Sequence, residues 1–179
     1  TKTEYYAKDV GMVKTISLSE ADNTETTSTL KQITTDAVRL QTVQFFFPNI
    51  NDDIIYIKNK QMTFRTNNVL AEVLETGYRE ALVDNVGAVL TPNTKINSVK
   101  LNADGIVELD LSSEFETEMR AGAGYEMMLL QSLTNTFCRY YDAEELLLTI
   151  DGDTYSSGHI DLEPGETFKA NYQGKIESD

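Results

Sequence analysis

Apolar and polar positions alternate most clearly between Lys95 and Ile150. Lys95–Leu101 spaces Ile96, Val99 and Leu101 among polar neighbours. Asn102-Ala103-Asp104-Gly105 supplies turn residues, and Ile106–Leu111 sets Val107, Leu109 and Leu111 on one face and Glu108 and Asp110 on the other. This predicts a β-hairpin. Ser113 and Glu116 follow at capping-box spacing. The period then changes to that of a helix over residues 124–141, where Met127, Leu130, Leu133, Phe137 and Tyr141 form one stripe. Glu145–Ile150 predicts a further strand, closed by the turn signal Asp151-Gly152.

Upstream, Val43, Phe45 and Phe47 mark a strand that Pro48 is expected to end. Asn49–Asp53 reads as a turn and Ile54–Phe64 as the returning strand. Thr66-Asn67-Asn68 offers N-cap side chains to a helix carrying Leu70, Val73 and Leu74, for which Gly77 is the expected C′ residue. Tyr78–Val89 fits either a loop or a short second helix, and Leu90–Thr94 is extended. Beyond Gly152, Thr154–Leu162 predicts a last extended edge, Pro164-Gly165 a turn, and 166–179 a polar tail. Residues 41–179 therefore read as one α+β domain in the order ββ-α-ββ-α-β. Its sheet is mostly antiparallel or mixed, with two helices on one face. Residues 1–40 read as an N-terminal β-hairpin, 10–18 against 25–33, and a lone hairpin is not stable. It is expected to be either a packed appendage or the tail of an upstream β-domain.

Charge narrows the partners. The 179 residues carry 29 acidic and 15 basic side chains, a formal net charge of −14. Such a surface repels nucleic acid and anionic lipid headgroups. No run of apolar residues reaches the length of a membrane-spanning helix. No signal peptide or lipidation signal lies within these residues, and the initial Thr1 leads us to expect a processed or trimmed N-terminus. The single cysteine, Cys138, allows no internal disulfide and reads as a packed helical residue.

Few residues are left for chemistry. His159 is the only histidine, and a hydrolytic triad would need it beside Ser112, Ser156 or Ser157, but no Gly-x-Ser-x-Gly elbow is present. The plainer reading places His159 half exposed on a terminal strand. Asp151-Gly152-Asp153 lacks the alternating oxygen ligands of a calcium loop, since Tyr155 takes the third alternating position, and reads as a turn. Glu108 and Asp110 share a strand face about 7 Å apart, which suits a solvated face better than an acid–base pair; Glu116 and Glu118 extend the acidic character. Gly122-Ala123-Gly124 precedes a helix, but Met127 stands where a third glycine would be and no lysine follows, so it reads as a hinge. Met12, Met127 and Met128 read as core filler. No catalytic, cofactor-binding or metal residue is assigned, and no cofactor is expected.

Several words of the sequence resemble the GerMN domain of sporulation and spore-germination proteins. They are Val43–Pro48, Thr91–Ile96, Val107-Glu108-Leu109-Asp110-Leu111-Ser112-Ser113-Glu114-Phe115, Gln131–Phe137, Leu148–Gly152 and Gly158–Leu162. The resemblance covers roughly Val43 to Leu162, and residues 75–91 fit no recognisable part of it. It implies a small α/β module in a bacterial envelope lipoprotein, extracytoplasmic and membrane-anchored outside these residues. Such a module is non-enzymatic and binds envelope proteins or copies of itself, with the edge near 154–162 or the 10–33 hairpin open to a partner strand. A cation- or glycan-binding role for the Glu108/Asp110 face is the alternative.

Overall fold

The computed structural model describes residues 1–19, 22–34, 37–49 and 51–173, and the backbone of 176–177. The chain divides into two units, Thr1–Ala37 and Val38–Asp179. In the first, β1 (Lys2–Ala7), β2 (Gly11–Leu18) and β3 (Glu25–Thr29) form an antiparallel meander. The expected hairpin thus has a third strand, joined through a tight turn with Asp9 at φ 63° and Gly11 at φ 91°. None of the described residues of this unit is buried.

The second unit opens with a long hairpin, β4 (Val38–Asn49) and β5 (Ile54–Arg65), in unbroken register from Val38 opposite Arg65 to Asn49 opposite Ile54. Helix α1 (Leu70–Glu80) follows. A second hairpin, β6 (Ile96–Leu101) and β7 (Ile106–Leu111), leads into the single turn α2 (Glu114–Thr117) and the long α3 (Ala123–Tyr141). The helical crossover delivers β8 (Glu145–Ile150) parallel to β7. Two-residue strands β9 (Asp153–Thr154) and β10 (Phe168–Lys169) both pair antiparallel with β8, and β11 (Ile176–Glu177) runs parallel to β5. One sheet has the order β10-β8-β7-β6, with β9 also on β8; the other is β11-β5-β4. The class is α+β with mixed sheets, as the periodicity predicts, and the strands divide between two hydrogen-bonded sheets.

Helix α3 packs against β4 as well as against β7, β8 and β10. Residues 132–138 are consequently buried all round, including Ser132, Thr134, Asn135 and Thr136. Two of these residues, Asn135 and Thr136, stand in for strand partners. The amide of Phe46, on the outer edge of β4, donates to Thr136 Oγ1 at 3.0 Å. Asn135 pairs with the backbone of Asn171 in both directions, at 2.7 and 2.8 Å. The Tyr78 hydroxyl donates to the Phe46 carbonyl at 2.8 Å and lies 2.9 Å from Thr136 Oγ1, while its ring sits between Phe45 and Phe47. Burial pushes its pKa far up, so it stays a neutral donor.

Several local expectations change. Pro48 lies inside β4; it occupies an edge strand, where a missing N–H is tolerated. Gly77 does not end α1 but sits buried within it. A Cβ there would come 2.5 Å from Met62 Cε and 2.8 Å from Phe45 Cζ, so the glycine permits close packing of helix on strand. The α1 N-cap is Val69 without a side-chain cap, because Asn68 Oδ1 instead accepts the Arg65 amide at 2.6 Å. Ser113 makes no capping box either. Met127 is 53% exposed and Met12 49%, so neither fills a core. Thr154–Leu162 is no continuous strand: after β9 only a Ser156–Asp161 bridge remains. The polar tail contributes β10 and β11.

Candidate functional site

The sequence word from Val107 to Phe115 is built into the scaffold. Val107, Leu109, Leu111 and Phe115 are fully buried. Asp110 Oδ1 accepts the Thr149 hydroxyl at 2.6 Å and the Gly152 amide at 2.8 Å, and its Oδ2 accepts Asn97 Nδ2 at 2.9 Å. Asp151 Oδ1 accepts the same Asn97 amide at 3.0 Å and its Oδ2 the Ser113 amide at 3.1 Å. Ser112 Oγ accepts the Lys95 amide at 2.9 Å. Bonds from Ser113 and Asn97 hold the Asp151 carboxyl below the usual range. Asp151 at φ 49° and Gly152 at φ 89° form the turn expected there. Glu108, bonded by Lys100 at 2.8 Å and Asn102 at 3.1 Å, is likewise held low. Among the described residues no group of three His, Cys, Asp or Glu is placed to hold a metal ion.

The serine–histidine candidates are not brought together as a triad. Ser112 belongs to the clamp just described. Ser157 Oγ donates to the buried Glu126 carboxylate at 2.5 Å, beside the Tyr155 hydroxyl at 2.7 Å. It also accepts the backbone amides of His159 and Ile160 at 3.1 and 3.0 Å. His159 is exposed in a bend rather than on a strand, and Ser156 is exposed at the bridge. Gly122-Ala123-Gly124 forms the start of α3. Cys138 is buried, and burial, with Glu145 nearby, pushes its thiol up to about 12.

The edges of the β10-β8-β7-β6 sheet are guarded. β8 is flanked by β9 and β10 along its outer side, so the edge expected near 154–162 is taken up within the fold. β6 is the open edge of that sheet, but it carries an irregularity between Ile96 and Ser98, the exposed Lys100, and a Val99 carbonyl that accepts the Tyr141 hydroxyl at 3.3 Å. Lysines and bulges are the usual means of discouraging edge pairing.

Open apolar surface lies instead where α1 meets the irregular segment 81–95. The Arg79 guanidinium donates to the Thr91 carbonyl at 2.7 Å and to the Thr94 carbonyl, and Glu75 lies 3.5 Å from it. Glu75 also accepts Lys95 Nζ at 2.9 Å and the Ile96 amide at 3.0 Å. Burial alone raises the Glu75 carboxyl, but Lys95, the Ile96 amide and Arg79 outweigh it and hold the group low. The middle of the segment is fixed by the Gly87 amide, which donates to Pro48 O at 2.7 Å. The Tyr125 hydroxyl lies so close over Gly87 that a Cβ would sit 1.6 Å from it. Between the end of α1 and Gly87, Leu82 is 41% and Val83 37% exposed.

Two cavities flank this segment. One, of about 230 Å³, is lined by Phe47, Tyr78, Leu82, Leu90 and the stem of Arg79. The other, of about 200 Å³, is lined by Phe115, Met119, Tyr125 and Leu129, with Glu118 and Arg120 among its polar residues. Ala88, Val89 and Pro92 line both, so the two apolar pits adjoin along this wall. The sequence reading missed this cleft because its wall falls in residues 75–91, which fit no pattern. The signal available was the run Val86-Gly87-Ala88-Val89-Leu90, apolar without helical or strand period.

No curated protein matches the chain. Among solved structures, the tandem GerMN domains of the sporulation protein GerM from Bacillus subtilis align at 20% identity and TM-score 0.49, over 70% of this chain and 45% of that one. The first GerMN domain of the same protein aligns at 22% identity and TM-score 0.45, over 64% and 86%. A candidate lipoprotein of Clostridium perfringens aligns at 15% identity and TM-score 0.46, over 77% and 93%. The family model described as Germane, sporulation and spore germination, matches residues 44–156. That span contains the β4–β5 hairpin from Gln44, all three helices and the β6–β8 strands, and the chain belongs to this sporulation and spore germination family.

Proposed function

We propose that residues 38–179 are a non-enzymatic protein-interaction module of the bacterial envelope, working in sporulation or germination. Membership of the family supports the setting. The observation that carries the interaction role is the paired apolar cleft beside the exposed Leu82 and Val83. Apolar pits of this size with an apolar rim suit anchoring side chains of another protein. No helix among the described residues is long and apolar enough to cross a membrane, and attachment in this proposal comes from an anchor outside these residues. Residues 1–37 are then the closing strands of a larger β-domain. A three-stranded meander in which none of the described residues is buried lacks the core it would need to stand alone.

Photocrosslinking tests the reading. A benzophenone amino acid at position 82 of the full-length protein, in sporulating cells, should give a discrete crosslinked species. The same label at Leu101, on the guarded β6 edge, should not. Equal yield from both positions, or none from position 82, overturns the proposal.

A further inference from the structure

We propose that the outer edge of β4, from Val38 to Gln44, takes an acidic extended segment of a partner protein as an added β-strand, with Arg39 and Arg139 receiving its carboxylates. The site lies apart from the cleft and shares no lining residue with either pit.

The backbone of β4 sets the geometry. Its register with β5 is unbroken, and in an antiparallel pair every second residue turns its N–H and C=O away from the neighbouring strand. Phe46 is one of these: its amide meets Thr136 and its carbonyl meets Tyr78. Pro48, whose carbonyl accepts the Gly87 amide, is another. By the same alternation Val38, Leu40, Thr42 and Gln44 turn outward, and among the described residues their outward groups have no hydrogen-bond partner. Below Phe46 a cavity of about 330 Å³ opens between residues 41–44 of β4 and Arg139 and Tyr140 of α3. The free stretch runs for roughly 20 Å of strand. Unlike β6, it holds no lysine, no proline and no bulge. Val38 and Leu40 are 49% and 58% exposed, and offer apolar contact to alternate side chains of an added strand.

Charge selects the occupant. Lys60, Lys95 and Lys100 are matched by Glu80, Glu75 and Glu108. Arg39 and Arg139 are exposed and form no ion pair among the described residues. Arg139 lies over the Tyr172 ring at 4.4 Å and is the charged residue lining the cavity; Asp142, the C-cap of α3, makes no bridge to it. Burial raises the Tyr140 hydroxyl and the Arg39 charge opposes the rise, so Arg39 acts on the same wall. Arg65, opposite Val38, lies instead in a groove with Glu72 and Glu80. On a chain of net charge −14, Arg39 and Arg139 reverse the sign locally and favour a negative partner. A second copy would bring the same strand, which has no acidic residue from Val38 to Gln44, and would leave both arginines unmatched.

The probe is a synthetic peptide of about seven residues, alternating valine and glutamate, titrated by fluorescence anisotropy against the full-length protein. Binding should slow hydrogen exchange at the Leu40 and Thr42 amides. N-methylating alternate peptide amides should weaken it at least about tenfold in one phase and hardly at all in the other, since only one set faces β4. Leu40→Pro should act like the disabling phase, because it removes an outward N–H and leaves the ladder to β5 whole. Arg39→Glu with Arg139→Glu should lower affinity several-fold, as should raising salt from about 0.05 to about 0.3 M. Lysine in place of glutamate should bind far more weakly. Circular dichroism and thermal unfolding check Leu40→Pro, and the methylated peptides carry the result if that variant fails to fold. Equal binding of the lysine peptide, equal effects of the two methylation phases, or no binding at about 1 mM peptide overturns the inference. Leu40 and Thr42 amides already protected in the free protein would mean that the chain itself fills the edge, which also overturns it. A dimer dissolved by Leu40→Pro would assign the edge to a second copy and remove the acidic partner. The crosslink from position 82 reports on the cleft alone.

Discussion

The word around Leu109–Phe115 and the segment around Leu82–Leu90 lie in the same domain, yet they use their side chains in opposite ways. In the first, almost every polar group is bonded within the chain. Asp110 alone gathers three donors, and Ser112 and Asp151 fix the neighbouring backbone. In the second, backbone anchors stand at Gly87 and Thr91–Ile96, and Leu82 and Val83, ahead of them in the chain, are left facing solvent. A distinctive sequence word need not mark a working site. Here it marks a clamp that joins the end of β7, the β8–β9 turn and the start of β6. The region that leaves apolar side chains in water is the one with the least pattern.

The largest expected effect falls on the clamp side of this contrast. Phe115 is fully buried, against Tyr155 at a ring separation of 6.3 Å. Phe115→Ala should cost about 3–5 kcal/mol in denaturant unfolding, the range for truncating a buried aromatic. A cost below about 1 kcal/mol would mean that this part of the fold repacks freely. Asp110→Ala comes next. It strands the Thr149 hydroxyl, the Gly152 amide and an Asn97 donor, all at a partly exposed site, and should cost about 1–3 kcal/mol. The same variant should leave crosslinking from position 82 intact. If it abolishes partner contact while the domain remains folded, the division between clamp and cleft is wrong.

Acid should loosen both regions. The Glu75 and Asp151 carboxyls are held below their ordinary values in the folded chain. A depressed carboxyl stabilises the fold fully above its unfolded pKa, and the contribution is lost as pH falls through the folded value. Unfolding midpoints should therefore hold steady from neutral pH down to the ordinary carboxylate range and decline below it. Glu75→Gln should flatten that decline, because it removes the titrating link between α1, Lys95 and Ile96. An unchanged acid profile in this variant would show that the link contributes little in solution.

Regular elements were legible in the sequence wherever one physical period governed a whole segment. The alternation in Ile106–Leu111, the turn residues at Asp104-Gly105 and Asp151-Gly152, and the stripe Met127–Leu130–Leu133–Phe137–Tyr141 each produced the element expected of them, although Met127 itself is exposed. Failures came where tertiary packing reversed the usual meaning of a residue. Gly77 reads as a helix stop but is needed for contact with Met62 and Phe45. Ser132, Thr134, Asn135 and Thr136 lie outside the apolar stripe of their helix, yet they are buried; Asn135 and Thr136 bond to backbone outside the helix, as strand neighbours would. Strands β10 and β11 are two residues each, too short to leave a period. The cleft joins Phe47, Tyr78 and Leu90 from distant positions, which no local pattern reports.

The smallest expected stability effect is the sharpest test of the comparison. Leu82 is 41% exposed and lines only the rim of the first pit. Replacing it with serine removes apolar surface that folding has left in water, so unfolding free energy should change by no more than about 0.5 kcal/mol. Partner affinity should fall by a larger amount, since an apolar rim contributes only once a partner excludes water from it. Unfolding and binding measured on the same preparation separate the two. If Leu82→Ser destabilises the fold as strongly as Asp110→Ala does, segment 81–90 belongs to the scaffold as fully as the Leu109–Phe115 word does, and its exposed apolar residues carry no special meaning.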